Sequence, residues 1–512
     1  MTEQSNNKRI AKNTLILYIR MLFMMFVSLY TSRIILNALG VEDYGVYNVV
    51  GGLVSMFTMI SGALSTSISR FLTYELGKKS QQKLNLIFST SVIIQLVISA
   101  IIFILVEIGG LWFLSNKMVI PLDRLFAAKC VLHLSLFTLV INIISIPYNA
   151  VIIAHEKMKA FAYISILETV LKLAVAYTIM YFSFGDNLIL YSVLMCFIAI
   201  AIRIIYITYC KRNFEECRVS LFSFDKELLK EMFGFAGWSF IGAAAQLLRD
   251  QGGNILLNLF GGPAVNAARA ISFQVRSAVT SFSTNFMTAL KPQITKSYAN
   301  GDLNYMFTLI FQGTRISYYM LLLLSIPVLL NTEYLLSVWL GEVPTHTILF
   351  VKLGLILGLI ESLSTTLVTA AAATGKIKNY QLVVGGLYIL NLPISYLLLR
   401  NDFFPEVIII VAICLAICCL FSRIYMLKDM INFPTVLFLR RVLLKVSIVS
   451  FISIAIPYII YINVEQNIFS FFLTSIISVL CTTICIYFIG CSNDEKLLLK
   501  QKINQLIIKA KV

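Results

Sequence analysis

Charged residues are scarce in this sequence of 512 residues, because Asp, Glu, Lys and Arg together make up only 13% of it. That is about half their share in soluble proteins, and no polar stretch is long enough to fold into a separate catalytic domain. Hydrophobic residues make up 59%, more than the roughly 50% typical of a soluble domain. The composition excludes a disordered chain and a soluble domain, and it indicates a polytopic membrane protein.

The sequence also has little from which to build a metal site or a disulfide framework. It contains three histidines, His133, His155 and His346, which stand far apart without ligand spacing. Its ten cysteines lie mostly within apolar segments, and their spacing does not suggest a disulfide framework. We therefore predict no metal site and no bound cofactor.

Apolar runs dominate what is present. At about 20 apolar residues per spanning helix, the sequence predicts an all-α membrane protein with about 14 transmembrane helices. The predicted spans lie near 13–38, 44–68, 84–106, 125–152, 158–183, 187–210, 233–260, 264–289, 304–330, 346–373, 379–399, 406–427, 440–462 and 467–490.

The spans predict two pseudo-symmetric six-helix bundles and two additional C-terminal helices. The predicted divisions are an N-terminal bundle at 1–210, a cytoplasmic linker at 211–232, a C-terminal bundle at 233–430, and two helices with a cytoplasmic tail at 431–512. A short repeat supports two parallel halves, since Ile34 to Gly40 resembles Ile255 to Gly261 at an offset of 221 residues.

The positive charge of the chain predicts its orientation. Lys and Arg number 41 against 25 acids, a formal charge of +16, but they lie in short loops and inside apolar runs. A nucleic-acid partner is therefore not expected, because such proteins gather basic residues on a water-facing patch. Basic loops alternate with loops that carry few basic residues, which predicts that both termini are cytoplasmic. The first apolar run is too long for the core of a signal peptide.

Several ionisable side chains lie inside predicted spans, where they normally face a cavity or a partner. Basic residues outnumber acids among them, and the candidate substrate-binding residues are Arg20, Arg33, Arg249, Arg269, Arg276 and Arg315. Arg269 and Arg276 are two helical turns apart and share one face. The excess positive charge suits an anion, and the planar donor fork of arginine matches phosphate. Arginines near span ends, such as Arg33 and Arg269, have snorkelling to the interface as an alternative.

The acids inside spans are candidates for coupling to protons or sodium. They are Glu168, Asp250 and Glu361. Glu168 and Lys172 are spaced i,i+4, so mutual neutralisation is the alternative for that pair.

The seventh and eighth spans are unusually rich in small and polar residues, from Ser239 to Asn285. These residues fit either a wet cavity or tight helix packing. The pair Gly252-Gly253 predicts a bend in the seventh span.

Several motifs resemble those of the bacterial polysaccharide flippases. This family is the O-antigen or lipopolysaccharide export branch of the multidrug/oligosaccharidyl-lipid/polysaccharide exporter superfamily. The motifs are Tyr30-Thr31-Ser32-Arg33 through Gly40, Tyr44-Gly45-Val46-Tyr47, Asn254 through Asn258 to Asn266-Ala267-Ala268-Arg269, and Ala289-Leu290-Lys291-Pro292-Gln293-Ile294. The resemblance extends over essentially the whole chain. It implies two six-helix bundles facing a central cavity, in the bacterial inner membrane.

The activity that the resemblance implies is outward movement of a polyprenyl-pyrophosphate-linked oligosaccharide by alternating access, without covalent chemistry. Its partners would be the lipid-linked glycan, membrane lipid and glycan polymerase machinery. One alternative is a cation-coupled multidrug exporter of the same superfamily, for which acids rather than arginines are expected around the cavity. A second is a membrane polysaccharide polymerase or glycosyltransferase, since such transferases place acidic residues where this chain has Glu42-Asp43.

Overall fold

The computed structural model describes residues 3–55, 58–116, 122–182, 185–217, 225–340, 343–464, 467–492 and 495–496. Part of the predicted linker, 218–224, and the basic tail from 497 onward lie outside the described residues. The predicted all-α fold is confirmed. The α-helices are α1 (Glu3–Ser55), α2 (Thr58–Lys78), α3 (Gln81–Asn116), α4 (Leu125–Ala154), α5 (Met158–Tyr181), α6 (Asn187–Asn213), α7 (Lys226–Ala299), α8 (Leu303–Leu330), α9 (Thr332–Leu340), α10 (Thr347–Ser362), α11 (Thr365–Thr374), α12 (Lys378–Ile389), α13 (Asn391–Arg400), α14 (Val407–Ile431), α15 (Thr435–Phe438), α16 (Leu444–Asn463) and α17 (Ile468–Cys485).

The chain divides into two compact units. Unit 1 consists of Met1–Ala243 with Thr288–Leu303, and unit 2 consists of Ala244–Met287 with Asn304–Val512. The long helix α7 therefore contributes its two ends to unit 1 and its middle to unit 2. This division differs from the sequence-based one, which separated the two bundles at residues 211–232.

Helix α4 lies at the centre of unit 1, where it packs against α1, α2, α3 and α6. Its apolar side chains Val131, Leu132 and Leu136 are fully buried. Large apolar side chains such as Ile108 and Phe126 are exposed on the surface of this unit. An exposed apolar surface of this kind suits lipid, because lipid tails solvate it as well as protein does.

Helix α14 has the same central role in unit 2, where it packs against α10, α11, α12 and α13. Phe350 on α10 and Leu257 on α7 are fully buried in the adjoining core. This core holds the middle of α7 against α10, and it positions the polar side chains of α7 that are described below.

Eleven helical segments within the described ranges are long and apolar enough to cross a membrane. They correspond to all the predicted spans except the second, seventh and eighth, at 44–68, 233–260 and 264–289. The described residues of these three regions are helical as well. The seventh and eighth spans belong to α7, whose small and polar residues lower its hydropathy. The predicted total of 14 is therefore consistent with the structure, although composition identifies only eleven.

Two glycines break the helical backbone at comparable places in the two halves of the sequence. In α1, Gly40 has φ 78° and ψ 170°, and in α7, Gly262 has φ 74° and ψ −174°. Only glycine adopts this backbone region readily. The sequence repeat matched Gly40 with Gly261. The break in α7 is at Gly262, one residue later than this match predicted. The sequence also predicted a bend at Gly252-Gly253, but the backbone departs from helical geometry at Gly262 instead.

These two glycines should not tolerate a side chain. We expect Gly40→Ala and Gly262→Ala each to destabilise the protein by about 1–3 kcal/mol, because alanine is strained at this φ and ψ. An added Cβ would meet no other atom at either position, so the cost is one of backbone strain. Thermal unfolding in detergent measures it. Gly45→Ala and Gly237→Ala are matched controls on the same two helices, since a Cβ there meets nothing and φ is not positive. Equal losses of stability in all four variants would contradict the prediction that backbone strain causes the loss.

Candidate functional site

A small pocket with both charged and apolar lining residues lies inside unit 2, between α7, α10, α13 and α14. Three arginines from α7 line it, and the cavity volume is about 40 Å³, room for about two or three water molecules. Its lining residues are Arg249, Asp250, Arg269, Ser272, Phe273, Arg276, Gly354, Leu357, Asn391, Ile408, Ile409 and Ala412.

Arg249 forms the most buried ionic contacts at this pocket. Its Nε lies 3.0 Å from Asp250 Oδ1, and its Nη1 lies 2.9 Å from Glu361 Oε1. The side chain is 3% exposed, and its guanidinium lies 4.9 Å from the centre of the Tyr388 ring. Its Nη2 is buried and has no hydrogen-bond partner among the described residues. Arg249 therefore keeps one nitrogen without a hydrogen-bond partner among the described residues despite two carboxylate partners.

Arg269 and Arg276 lie on the same face of α7, as their spacing predicted, and both line the pocket. Arg269 donates from Nη2 to the backbone oxygen of Asp250 at 3.0 Å, while its buried Nη1 has no hydrogen-bond partner among the described residues. Arg276 Nη1 lies 3.9 Å from Glu361 Oε2, a longer ion pair than that of Arg249. The pocket therefore holds three cations against two carboxylates and retains a net positive charge.

The guanidinium of Arg269 lies directly against the backbone of Gly253. A Cβ at position 253 would be 2.3 Å from Arg269 Nη1 and 2.8 Å from Nη2, closer than real contacts allow. A Cβ at Gly354, on α10, would likewise be 2.6 Å from Ser272 Oγ. These glycines allow α7 and its neighbours to approach closely, and Gly253 leaves room for the arginine head group.

Replacing Gly253 should therefore disturb the pocket. We expect Gly253→Ala to displace the Arg269 side chain and to weaken anion binding at the pocket by about tenfold, the equivalent of one charged hydrogen bond of 1.5 kcal/mol or so. Isothermal titration with a soluble diphosphate ester measures this change. Gly237→Ala on the same helix serves as the control, because a Cβ there meets no other atom. Wild-type affinity in Gly253→Ala would contradict the role of this contact.

The sequence analysis missed another buried arginine, which forms a cluster with two tyrosines beside the pocket. Arg423 on α14 is buried and donates from Nε to Tyr380 Oη at 2.9 Å and from Nη2 to Tyr388 Oη at 2.8 Å. The signal was present in the sequence, because Arg423 lies inside the predicted twelfth span. Tyr388 contacts the guanidinium faces of both Arg249 and Arg423, so it links this cluster to the pocket.

Arg315 does not line this pocket. Its Nη2 forms a buried ion pair with Glu495 Oε1 at 2.6 Å, which ties α8 to the segment that follows α17. Two other candidates, Arg20 and Arg33, belong to unit 1. The Arg20 guanidinium lies 4.6 Å from the centre of the Phe161 ring, and Arg33 is exposed.

The candidate coupling acids fall into two settings. Asp250 and Glu361 pair with arginines at the pocket of unit 2. Glu168, in unit 1, lies 2.6 Å from Lys172 Nζ, so this i,i+4 pair neutralises itself. No cluster of three or more His, Cys, Asp or Glu side chains that could hold a metal occurs within the described ranges.

A buried carboxylate organises one end of unit 1, in the turn between α4 and α5. Glu156 Oε2 lies 2.8 Å from Arg9 Nε, and Glu156 Oε1 lies 2.7 Å from Lys296 Nζ. Gln293 Nε2 donates to Glu156 Oε2 at 2.6 Å. Burial lowers the pKa of Lys296, and Glu156 opposes that shift. This cluster fastens the start of α1 and the end of α7 to the same turn, a structural role that the sequence did not reveal.

Asp43, from the acidic motif that suggested a glycosyltransferase, forms an ion pair in unit 1, whereas the side chain of Glu42 lies outside the described residues. Asp43 Oδ2 lies 2.6 Å from Arg124 Nη2, and Asp186 Oδ2 lies 2.7 Å from Arg124 Nη1. One arginine thus binds acids from α1 and from the start of α6. The pairing gives Asp43 a structural function that requires no catalysis.

Comparisons with known proteins point to polysaccharide pathways and to a transporter fold. A family described as "Polysaccharide biosynthesis protein" matches residues 10–298. The chain is 20% identical over 328 residues to the uncharacterized membrane protein EpsK of Bacillus subtilis (strain 168), a match that covers 62% of this chain and 63% of that protein. The chain thus spans just under two thirds of that relative's length.

Two solved structures resemble the fold with a TM-score of 0.70 each. One is an outward-facing multidrug resistance MATE family transporter of the MOP superfamily, 13% identical, with 83% of this chain and 97% of that chain covered. The other is a MOP superfamily transporter from Pyrococcus furiosus, described by the reverse polarity of its binding pocket. It is 12% identical, and the match covers 83% of this chain and 96% of that chain. At these identities the likeness concerns the fold.

Proposed function

The chain belongs to the polysaccharide biosynthesis family, and from this premise we propose that it is a flippase for a polyprenyl-diphosphate-linked oligosaccharide. It is a multi-pass membrane protein with a MOP-superfamily transporter fold, and this fold belongs to transporters rather than enzymes. In the proposed reaction, alternating access carries the lipid-linked glycan from the cytoplasmic to the outer leaflet of the bacterial inner membrane. Both termini lie in the cytoplasm, and the glycan polymerase machinery would receive the product.

One observation supports this assignment above the others. The pocket of unit 2 presents Arg249, Arg269 and Arg276 on one helix, and two of their buried nitrogens have no hydrogen-bond partner among the described residues. A buried donor without a partner costs free energy. A diphosphate supplies the missing acceptors and two negative charges, and arginine binds phosphate oxygens in a two-point contact.

The membrane potential would favour the proposed direction. With the cytoplasm negative, each charge that crosses is worth about 2.3 kcal/mol per 100 mV. At a potential of about 100 mV, a diphosphate diester with two charges would gain about 4–5 kcal/mol on its way out. Any arginine that moved with the substrate would reduce this gain.

The multidrug-exporter alternative shares the fold, and the charges at the pocket argue against it. A cationic drug would meet three arginines at this site, and the two nearby acids are already paired with them. Because a fold does not specify a substrate, the assignment depends on the family and on these charges. Among the residues described in unit 2, the pocket favours an anion.

The leaflet distribution of the lipid-linked glycan tests this function in cells. Spheroplasts with and without the protein are treated with an impermeant glycosidase that cleaves exposed glycan. Without the protein, complete repeat units should remain protected on the cytoplasmic face. Units that reach the outer face but stay unpolymerised would support a polymerase instead. An unchanged distribution would reject the flippase.

A further inference from the structure

The carboxylate of Glu361 occupies the space between two arginines of the pocket. Oε1 lies 2.9 Å from Arg249 Nη1, and Oε2 lies 3.9 Å from Arg276 Nη1. Two oxygens of one anion that face two guanidinium groups are also the arrangement that a phosphate group adopts with arginines. Glu361 therefore mimics the ligand that the pocket is proposed to bind.

The groups that face Glu361 come from three neighbouring helices. Helix α7 contributes Arg249 and Arg276, and Asp250 lies on the other side of Arg249. Helix α12 contributes the hydroxyl of Tyr388, which accepts a hydrogen bond from Arg423. Helix α14 contributes Arg423 and Cys419, both of which interact electrostatically with Glu361. Its strongest partners are thus cations that a diphosphate would compete for.

We propose that Glu361 is a displaceable internal anion, which the diphosphate of the substrate replaces between Arg249 and Arg276 while the released carboxylate takes up one proton from water. The inference rests on the proposed function, because it requires a diphosphate to bind at this pocket. The proton binds to a carboxylate oxygen of Glu361, and no other bond is formed or broken.

The position between the two arginines is already filled by the Glu361 carboxylate. The pocket cavity of about 40 Å³ has room for only a few water molecules, which is less than a diphosphate needs. A diphosphate can therefore contact both Arg249 Nη1 and Arg276 Nη1 from this position only after the carboxylate moves away. Since Arg249 also holds Asp250 at 3.0 Å, it retains one carboxylate partner after Glu361 leaves.

The charge balance explains why a proton accompanies the exchange. Arg249, Arg269 and Arg276 exceed Asp250 and Glu361 by one positive charge before binding. A diphosphate diester would bring two negative charges and would take over Arg249 and Arg276, which are the arginines within ion-pair distance of Glu361. A carboxylate that loses its cation partners in a poorly hydrated site is more stable in its neutral form.

Titration calorimetry tests the proposal with the full-length protein in nanodiscs. The probe is dimethyl diphosphate with one methyl ester on each phosphorus, because both of its charges stay fixed near neutral pH. Binding is measured in two non-phosphate buffers that differ in ionisation enthalpy, and the difference in heat gives the number of protons taken up. We expect about one proton per bound ligand, and affinity should rise by up to tenfold for each unit decrease in pH.

The variant Glu361→Gln should bind the probe more tightly and take up no proton, because its amide neither competes as an anion nor titrates. Glu406→Gln is the matched control. Glu406 is another carboxylate of unit 2, but it pairs with His346 at 2.7 Å rather than with an arginine of the pocket. This control should keep the proton uptake of the wild-type protein.

The outcomes separate this inference from the proposed function. Saturable binding without proton uptake in the wild-type protein would overturn the inference and leave the pocket assignment intact. Proton uptake that persists in Glu361→Gln would overturn it as well, and would point to Asp250. The absence of saturable binding in the wild-type protein would reject both. The wild-type measurement decides the proton uptake even if Glu361→Gln fails to fold.

Discussion

Arg276→Ala should weaken binding of a diphosphate ester by about 10–100-fold, the loss of a charged hydrogen bond worth about 1.5–3 kcal/mol. Glycan export should fall with it, while the protein remains folded in the membrane. The structure favours this residue for the test, because Arg276 has only a long 3.9 Å contact with Glu361. Its removal therefore leaves no closely paired carboxylate without a partner. Calorimetry and export assays measure the two effects.

Two further variants sharpen this result. Arg276→Lys should give an intermediate loss, since lysine keeps the charge but not the two-point fork. Arg400→Ala is the matched control, because Arg400 is exposed at the end of α13 and is not part of the pocket. Unchanged binding in Arg276→Ala, or an equal loss in Arg400→Ala, would refute an anion-binding role for the pocket arginines.

Arg249→Met should instead destabilise the protein, by about 1–3 kcal/mol, because it leaves two partly buried carboxylates without their closest cation. Arg249 is 3% exposed and binds both Asp250 and Glu361. A stability loss of this size would obscure any effect on transport. Thermal unfolding in detergent measures it directly.

A charge-neutral replacement separates the ion pairs from packing. We expect Arg249→Met combined with Asp250→Asn and Glu361→Gln to recover most of the lost stability, because neutral groups do not need a buried cation. A triple variant that unfolds as readily as Arg249→Met would show that packing around the arginine, rather than its charge, stabilises the fold.

The position of Arg269 and Arg276 on one helix face could be predicted from the sequence, because it depends only on local helix geometry. Residues seven apart on a helix share a face, and charged residues inside an apolar run require a polar environment. The all-α fold followed from the same apolar runs. Both inferences use information contained in one helix, and the structure adds only the partner helices.

Contacts that depend on packing between distant segments could not be predicted in this way. Arg315 gave the same signal as Arg276, yet its partner is Glu495, 180 residues away. Gly262 breaks α7, whereas Gly252 and Gly253 stay helical and leave space for neighbouring side chains. The sequence indicates which residues are charged and which are conformationally free. Tertiary packing determines which contacts the charged residues make and which glycine breaks the helix.

The most direct test of the central claim is transport by the purified protein in proteoliposomes. A labelled polyprenyl-diphosphate disaccharide is placed in both leaflets, and an added glycosidase reports how much becomes accessible from outside. With the wild-type protein, the protected fraction should become cleavable over time, and Arg276→Ala should leave it protected in liposomes that contain equal amounts of folded protein. A protected fraction that stays constant with the wild-type protein, or that decreases equally with Arg276→Ala, would contradict the account.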